Sequence, residues 1–149
     1  MTAWKRKWRQ QAADKALNYL SLARKAGHAE LGEEPVGAAA RALHAHVILV
    51  AGDASDHTWR RAKSYAAGTD QQCIRVSFSK DELGMAIGRT SLAMAAITDA
   101  SLALAFLQAL EQPEKLKASV EVLSAKVLKA KKRQAEAKAH QRNLRKGKK

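Results

Sequence analysis

The apolar positions of this chain follow three rhythms. In "KALNYLSLARKAG", Lys15 to Gly27, Leu17, Leu20 and Ala23 fall near one face at helical spacing, and Gly27 suits the left-handed position that closes a helix. This predicts a first helix capped by Asp14, with a backward extension through Trp4 and Trp8, which share a face four residues apart. A second helix is predicted from Gly32 to about Ala45, with Pro35 in its first turn, where the missing N–H costs nothing. The second rhythm is a set of short apolar runs. "HVILVAGD", His46 to Asp53, is continuous and β-branched enough to be a central strand covered on both faces. "QCIRVSF" and "SLAMAAITD" predict two more strands. Between them, Ser55 or Asp56 caps the helix "HTWRRAKSYAAG", Ser79 to Glu82 fits a capping box for a short helix "ELGMAIG", and Asp99 caps "ASLALAFLQALEQ". Helices alternating with buried strands predict an α/β fold, a three-layer α/β/α sandwich around a small mixed sheet.

The third rhythm begins after Pro113. Leu116, Val120, Leu123 and Val127 step by four, three and four, which predicts a helix with one narrow apolar seam. The seam is expected to pack on the first helix or on a partner helix, and a homodimer through it stays open. Beyond Leu128 there is no sustained apolar face, so the helix is expected to leave the core and fray into a basic tail. The organisation predicted is a basic Trp-containing arm over 1–13, a core over 14–112, and a basic helical or partly disordered tail over 113–149.

Charge sharpens that division. The net charge is +13, but residues 1–9 hold four cations without an acid and residues 113–149 hold thirteen Lys/Arg against three Glu. The middle, 10–112, is left with −1, the pattern of a neutral core with cationic ends for nucleic acid or an acidic surface. The lone Cys73 excludes an intramolecular disulfide framework, no apolar run approaches the ~20 residues of a membrane span, and the N-terminus lacks the apolar stretch of a signal peptide. A cytoplasmic protein without membrane contact is expected.

Five stretches, in order, carry a resemblance: "LARKAG" (Leu22 to Gly27), "GEE" (Gly32 to Glu34), "HVILVAGDAS" (His46 to Ser55), "KDELGMAIGR" (Lys80 to Arg89) and "AAITD" (Ala95 to Asp99). Over roughly residues 14–110 the chain resembles the bacterial YlxQ-like proteins, in the superfamily of kink-turn RNA-binding ribosomal proteins. The resemblance implies a single α/β/α domain that binds structured RNA, is associated with ribosomes or translation, and has no catalysis or cofactor. It also implies an RNA face made of Gly32, Glu33 and Glu34, then Asp53 and Ala54, then Ile87, Gly88, Arg89 and Thr90. Where kink-turn readers place an Asn, a Glu and a Lys on the second helix, this chain has Glu34, Pro35 and Ala38. Glu34 can accept from a guanine edge, but Pro35 cannot reach and Ala38 supplies no cation.

The residues themselves offer plainer readings alongside. Glu33 and Glu34 complement the helix dipole in a first turn, an effect of ~0.3–1 kcal/mol. In the N-terminal arm, Trp4, Lys5, Arg6, Lys7, Trp8 and Arg9 interleave indoles with cations, a composition for stacking on bases and pairing with phosphates, although both Trp can equally pack on the protein. Lys129, Lys131, Lys132 and Arg133 are the corresponding candidates in the tail. Trp59, beside Arg60, Arg61 and Lys63, either extends a basic rim or packs half-buried. His44, His46 and His57 are a weak match to zinc-ligand spacing, Cys73 reads as a small buried hydrophobe, and Gly84 and Gly88 as residues for close packing and a turn. No catalytic arrangement stands out and no metal site is expected. The alternative function is a protein-interaction module whose tail seam docks a partner helix.

Overall fold

The computed structural model describes the backbone of residues 3–110 and 113–146 and the side chains of residues 14–110 and 116–141. Among these residues the chain forms α1 (Ala3–Lys25), β1 (Ala29–Leu31), α2 (Glu33–Arg41), β2 (Val47–Val50), α3 (Asp56–Ala66), β3 (Gln72–Arg75), α4 (Lys80–Ala86), β4 (Met94–Ile97), α5 (Ala100–Ala109) and α6 (Pro113–Lys146). Trp4, Lys5, Arg6, Lys7, Trp8 and Arg9 lie on the α1 backbone but outside the described side chains.

The sheet has the order β1-β4-β2-β3 and is mixed. β2 runs parallel to β3 with Val47 opposite Gln72, and antiparallel to β4 with Val47 opposite Ile97; β4 in turn pairs antiparallel with β1. β2 is central and all four of its residues are fully buried, as a continuous apolar run requires when both faces are covered. Each such side chain contributes about 1.5–3 kcal/mol of burial. Helices α2 and α3 cover one face; α1, α4 and α5 lie together on the other, with α6 packed outside α5. This is the α/β/α sandwich expected from the alternation of elements.

Local signals set most boundaries. Ser55 Oγ accepts from the Thr58 N–H at 3.2 Å, Asp99 Oδ2 from the Leu102 N–H at 2.9 Å, and Ser79 with Glu82 forms the reciprocal capping box. Three features differ from the sequence-based expectation. Asp14 is not an N-cap: α1 starts eleven residues earlier and includes the backward extension expected through Trp4 and Trp8, because the intervening stretch has no Gly or Pro and consists mostly of strong helix formers. α2 ends at Arg41 rather than near Ala45, closed by a Schellman motif in which the His44 N–H donates to Ala39 O and the Leu43 N–H to Ala40 O. This places Leu43 at φ 61, a left-handed conformation that costs a non-glycine residue about 1 kcal/mol or more, with its side chain 62% exposed. Finally β1, which no periodicity announces, is formed through its pairing with β4.

The apolar seam of α6 is taken up by α5 rather than by α1. Leu116 and Leu123 are buried in the common core and Val120 packs against it. With α5 ending at Ala109 and α6 starting at Pro113, the two helices become antiparallel neighbours. α6 continues unbroken to Lys146, well past the last apolar position of the seam.

Candidate nucleic-acid interface

The strand register defines two ends of the sheet. At one, Val50, Arg75 and Met94 come level, with Leu31 one residue short of them opposite Ala95; at the other, Ala29, Val47, Gln72 and Ile97 come level. Three segments far apart in sequence meet at the first end: the start of α2 after β1, the loop after β2, and the loop before β4. They contain all nine of the core positions singled out above.

These loops are cross-braced. The Gly32 N–H donates to Met94 O at 2.9 Å, the Ala51 N–H to Ala93 O at 2.9 Å and the Gly52 N–H to Phe78 O at 2.8 Å. Asp53 Oδ1 accepts from the Lys80 N–H at 2.8 Å, so the β2 loop helps hold the first turn of α4. The loop before β4 folds tightly over α4: a Cβ on Gly84 would lie 2.6 Å from the Ser91 N and 2.9 Å from Arg89 O. Only glycine permits that approach, and Gly88 supplies the left-handed turn beside it at φ 75.

The candidate residues divide by what the fold asks of them. Ile87 and Ala54 are buried, and the Ala54 carbonyl accepts from Arg75 Nη2 at 2.7 Å. Glu33 is half-buried and pairs with Arg61 of α3 at 3.4 Å, so one carboxylate of the first turn is engaged. Glu34, Arg89 and Thr90 are exposed, as are Pro35 and Ala38, the positions that hold no amide, acid or cation. Trp59 is half-buried and also flanked by cations: the Lys63 ammonium lies 5.4 Å and the Arg75 guanidinium 5.8 Å from its ring centroid. The cations Arg61, Lys63, Arg75 and Arg89 are all exposed, as are the carboxylates of Glu34 and Asp53. Met85, on α4 next to the loop, is 83% exposed; nothing in its local sequence distinguishes it from a core methionine.

The opposite end is tied by polar groups that sequence reasoning did not single out. Gln71 is buried, accepts from the Ala45 N–H at 3.0 Å and donates to Ala40 O and Thr69 Oγ1, both at 3.1 Å. Lys126 of α6 pairs with Asp70 at 3.2 Å and donates to His46 Nδ1 at 3.5 Å. Burial, reinforced by Lys126, holds His46 below its ordinary value. Burial also pushes the Cys73 thiol up to about 11, which makes it a poor nucleophile. Among the described residues no three His, Cys, Asp or Glu are grouped as metal ligands, and no helix is long and apolar enough to cross a membrane.

The arrangement defines a class: a mixed four-stranded α/β/α sandwich presenting braced loops at one end of its sheet. No protein-family model matches the chain. It is 35% identical over 75 residues to the RNA-binding protein YlxQ of Enterococcus faecium, a match spanning 50% of this chain and 72% of that protein. The chain belongs to the YlxQ family. A structure of a protein with unknown function from Bacillus halodurans C matches with a TM-score of 0.60 and 26% identity, over 66% of this chain and 98% of that one. The 15.5kD RNA binding protein of Giardia lamblia, at 17% identity, shares the fold, with a TM-score of 0.52 over 73% of this chain and 90% of its own.

Proposed function

We propose that this protein is a cytoplasmic, non-catalytic RNA-binding protein associated with the ribosome or translation, which engages structured RNA through the loop end of its sheet. The observation that carries the reading is the convergence of residues 32–34, 53–54 and 87–90 on one braced end, with Glu34, Arg89 and Thr90 left exposed. The name of its Enterococcus relative supports RNA as the ligand. Glu34 is the available acceptor for base donors, since Glu33 is held by Arg61. Arg89 and the other exposed cations, Arg61, Lys63 and Arg75, supply phosphate contacts, and the basic segments at the two ends of the chain add salt-dependent affinity.

The test compares the affinity of the full chain for a kink-turn hairpin and for a plain duplex of equal length across a salt series. The wild type is expected to prefer the hairpin, and Glu34→Ala combined with Arg89→Ala is expected to weaken hairpin binding about tenfold or more. If the double variant binds every structured RNA as the wild type does, the loop end is not the interface. Burial of Leu116 and Leu123 on α5 leaves the partner-helix reading of the seam without a specific observation in its favour.

A further inference from the structure

Among the described residues, two groups of exposed cations stand at opposite ends of the sheet. One, with Arg75 and Arg89, lies where β2 and β3 end. The other begins where α6 leaves the core, at the end where those strands start, just after Ser119 Oγ donates to Gln72 Oε1 at 2.8 Å and Lys126 reaches Asp70 and His46. From residue 128 to 141 every residue is exposed, and residues 129–141 carry Lys129, Lys131, Lys132, Arg133 and Lys138 against Glu136 as the only acid. Apart from Leu128, the apolar residues of this exposed stretch are alanines, so it offers no apolar face to a protein groove or a bilayer.

Distance decides what such a segment can do. A helix rises about 1.5 Å per residue, which puts Lys131 to Lys138 roughly 8–18 Å beyond Lys126. Four-residue strands, three rises of about 3.3 Å, separate the two ends of the sheet by about 10 Å more. Lys131 to Lys138 therefore lie roughly 18–28 Å from Arg89 along this axis, more than two screening lengths at physiological salt, where that length is about 8 Å. Residues 10–112 carry a net charge of −1, so the core adds no net attraction for phosphate between the two groups. A phosphate drawn to the loops lies outside the field of the tail.

We infer that the projecting half of α6 is a second, separate phosphate-backbone site for RNA, so that one molecule holds two RNA segments at once. The two-segment activity rests on the RNA reading of the loop end; the tail site itself does not. Lys129 and Arg133 are spaced i,i+4 and repel each other along the helix, an unfavourable contact that bound phosphates relieve. The site reads no bases and is strongly salt-dependent.

The experiment is the mass of the complex, by sedimentation, formed by the full chain with an excess of a short kink-turn hairpin at low salt. One protein carrying two hairpins is expected. The variant Lys129→Gln, Lys131→Gln, Lys132→Gln and Arg133→Gln is expected to carry one; Gln is a good helix former, and matched far-ultraviolet spectra check that the variant is folded. A complex of one protein with one hairpin in the wild type overturns the inference, because a single RNA then spans or ignores the tail. Two hairpins persisting in the variant overturn it as well, as does a complex of two proteins with two hairpins. The loop reading fails separately, if Glu34→Ala with Arg89→Ala leaves the preference for kink-turn over duplex unchanged.

Discussion

The two ends of the sheet are stabilised in different ways. At the loop end, most braces are backbone groups and short caps, such as Gly32 to Met94, Asp53 to the Lys80 N–H and Gly84 against Ser91, with Arg75 to the Ala54 carbonyl and Arg61 to Glu33 added from outside. That leaves Glu34, Arg89 and Thr90 without a structural task among the hydrogen bonds and ion pairs described above. At the other end, long polar side chains do the bracing: Gln71 joins the α2 terminus to the start of β2, and Lys126 ties α6 to Asp70 and His46. The same residue type thus has two roles within one helix. Lys126, with its side chain 22% exposed, is part of the core's edge; the exposed lysines from Lys129 onward are available to a ligand.

Replacements at the two ends should separate these roles. The largest effect is expected from Gln71→Leu, which leaves the Ala45 N–H and the Ala40 carbonyl buried without their partner; urea unfolding should show a loss of about 3 kcal/mol. Equal stability would mean that this end does not depend on its polar lock. Asp53→Ala removes a cap-like acceptor at the loop end, with an expected loss near 1 kcal/mol and faster amide exchange confined to the first turn of α4. If exchange also quickened around Gln71, the two ends would be coupled rather than independent. The smallest effect is a pH response. His46 is held below its ordinary value by burial first and by Lys126 next, against the opposite pull of Asp99 and Asp70, with His44 adding to the lowering. The unfolded chain therefore takes up this proton at a higher pH than the folded one. Stability from this group is complete above the ordinary histidine value of about 6.5 and is lost as the pH falls below it, through the lowered value of the folded state. His46→Gln should flatten that part of the stability curve, and an unchanged slope would rule out His46 as its source.

What was legible in the sequence was whatever one stretch of chain decides by itself. Ser79 with Glu82, Ser55 and Asp99 announce helix starts because their hydrogen bonds close within three residues. "VILV" announces a central strand because its apolar run is continuous. The three residues of β1 have no period to read, and only pairing with β4, more than sixty residues on, makes them a strand. The same holds at the candidate site. "GEE" marks the first turn of α2, but that Glu33 is occupied by Arg61 and Glu34 is not depends on a helix 28 residues away. Asp53 looked like a ligand contact and also braces Lys80, 27 residues distant. The seam of α6 was visible as an apolar stripe; that α5 covers it, and that the basic half consequently projects from the far end, depends on how the helices turn back on each other.

Cys73 gives the molecule a built-in clock. The only thiol in the chain sits half-buried on the edge strand β3, protonated at neutral pH, so its reaction with a soluble disulfide or maleimide is slowed in the folded chain and quickens when the strand opens. The labelling rate, divided by that of a free thiol at the same pH, sets an upper bound on the fraction of time β3 is open. A rate matching global unfolding would mean that the edge of the sheet opens only when everything does; a faster one would mark β3 as the seam along which the molecule breathes.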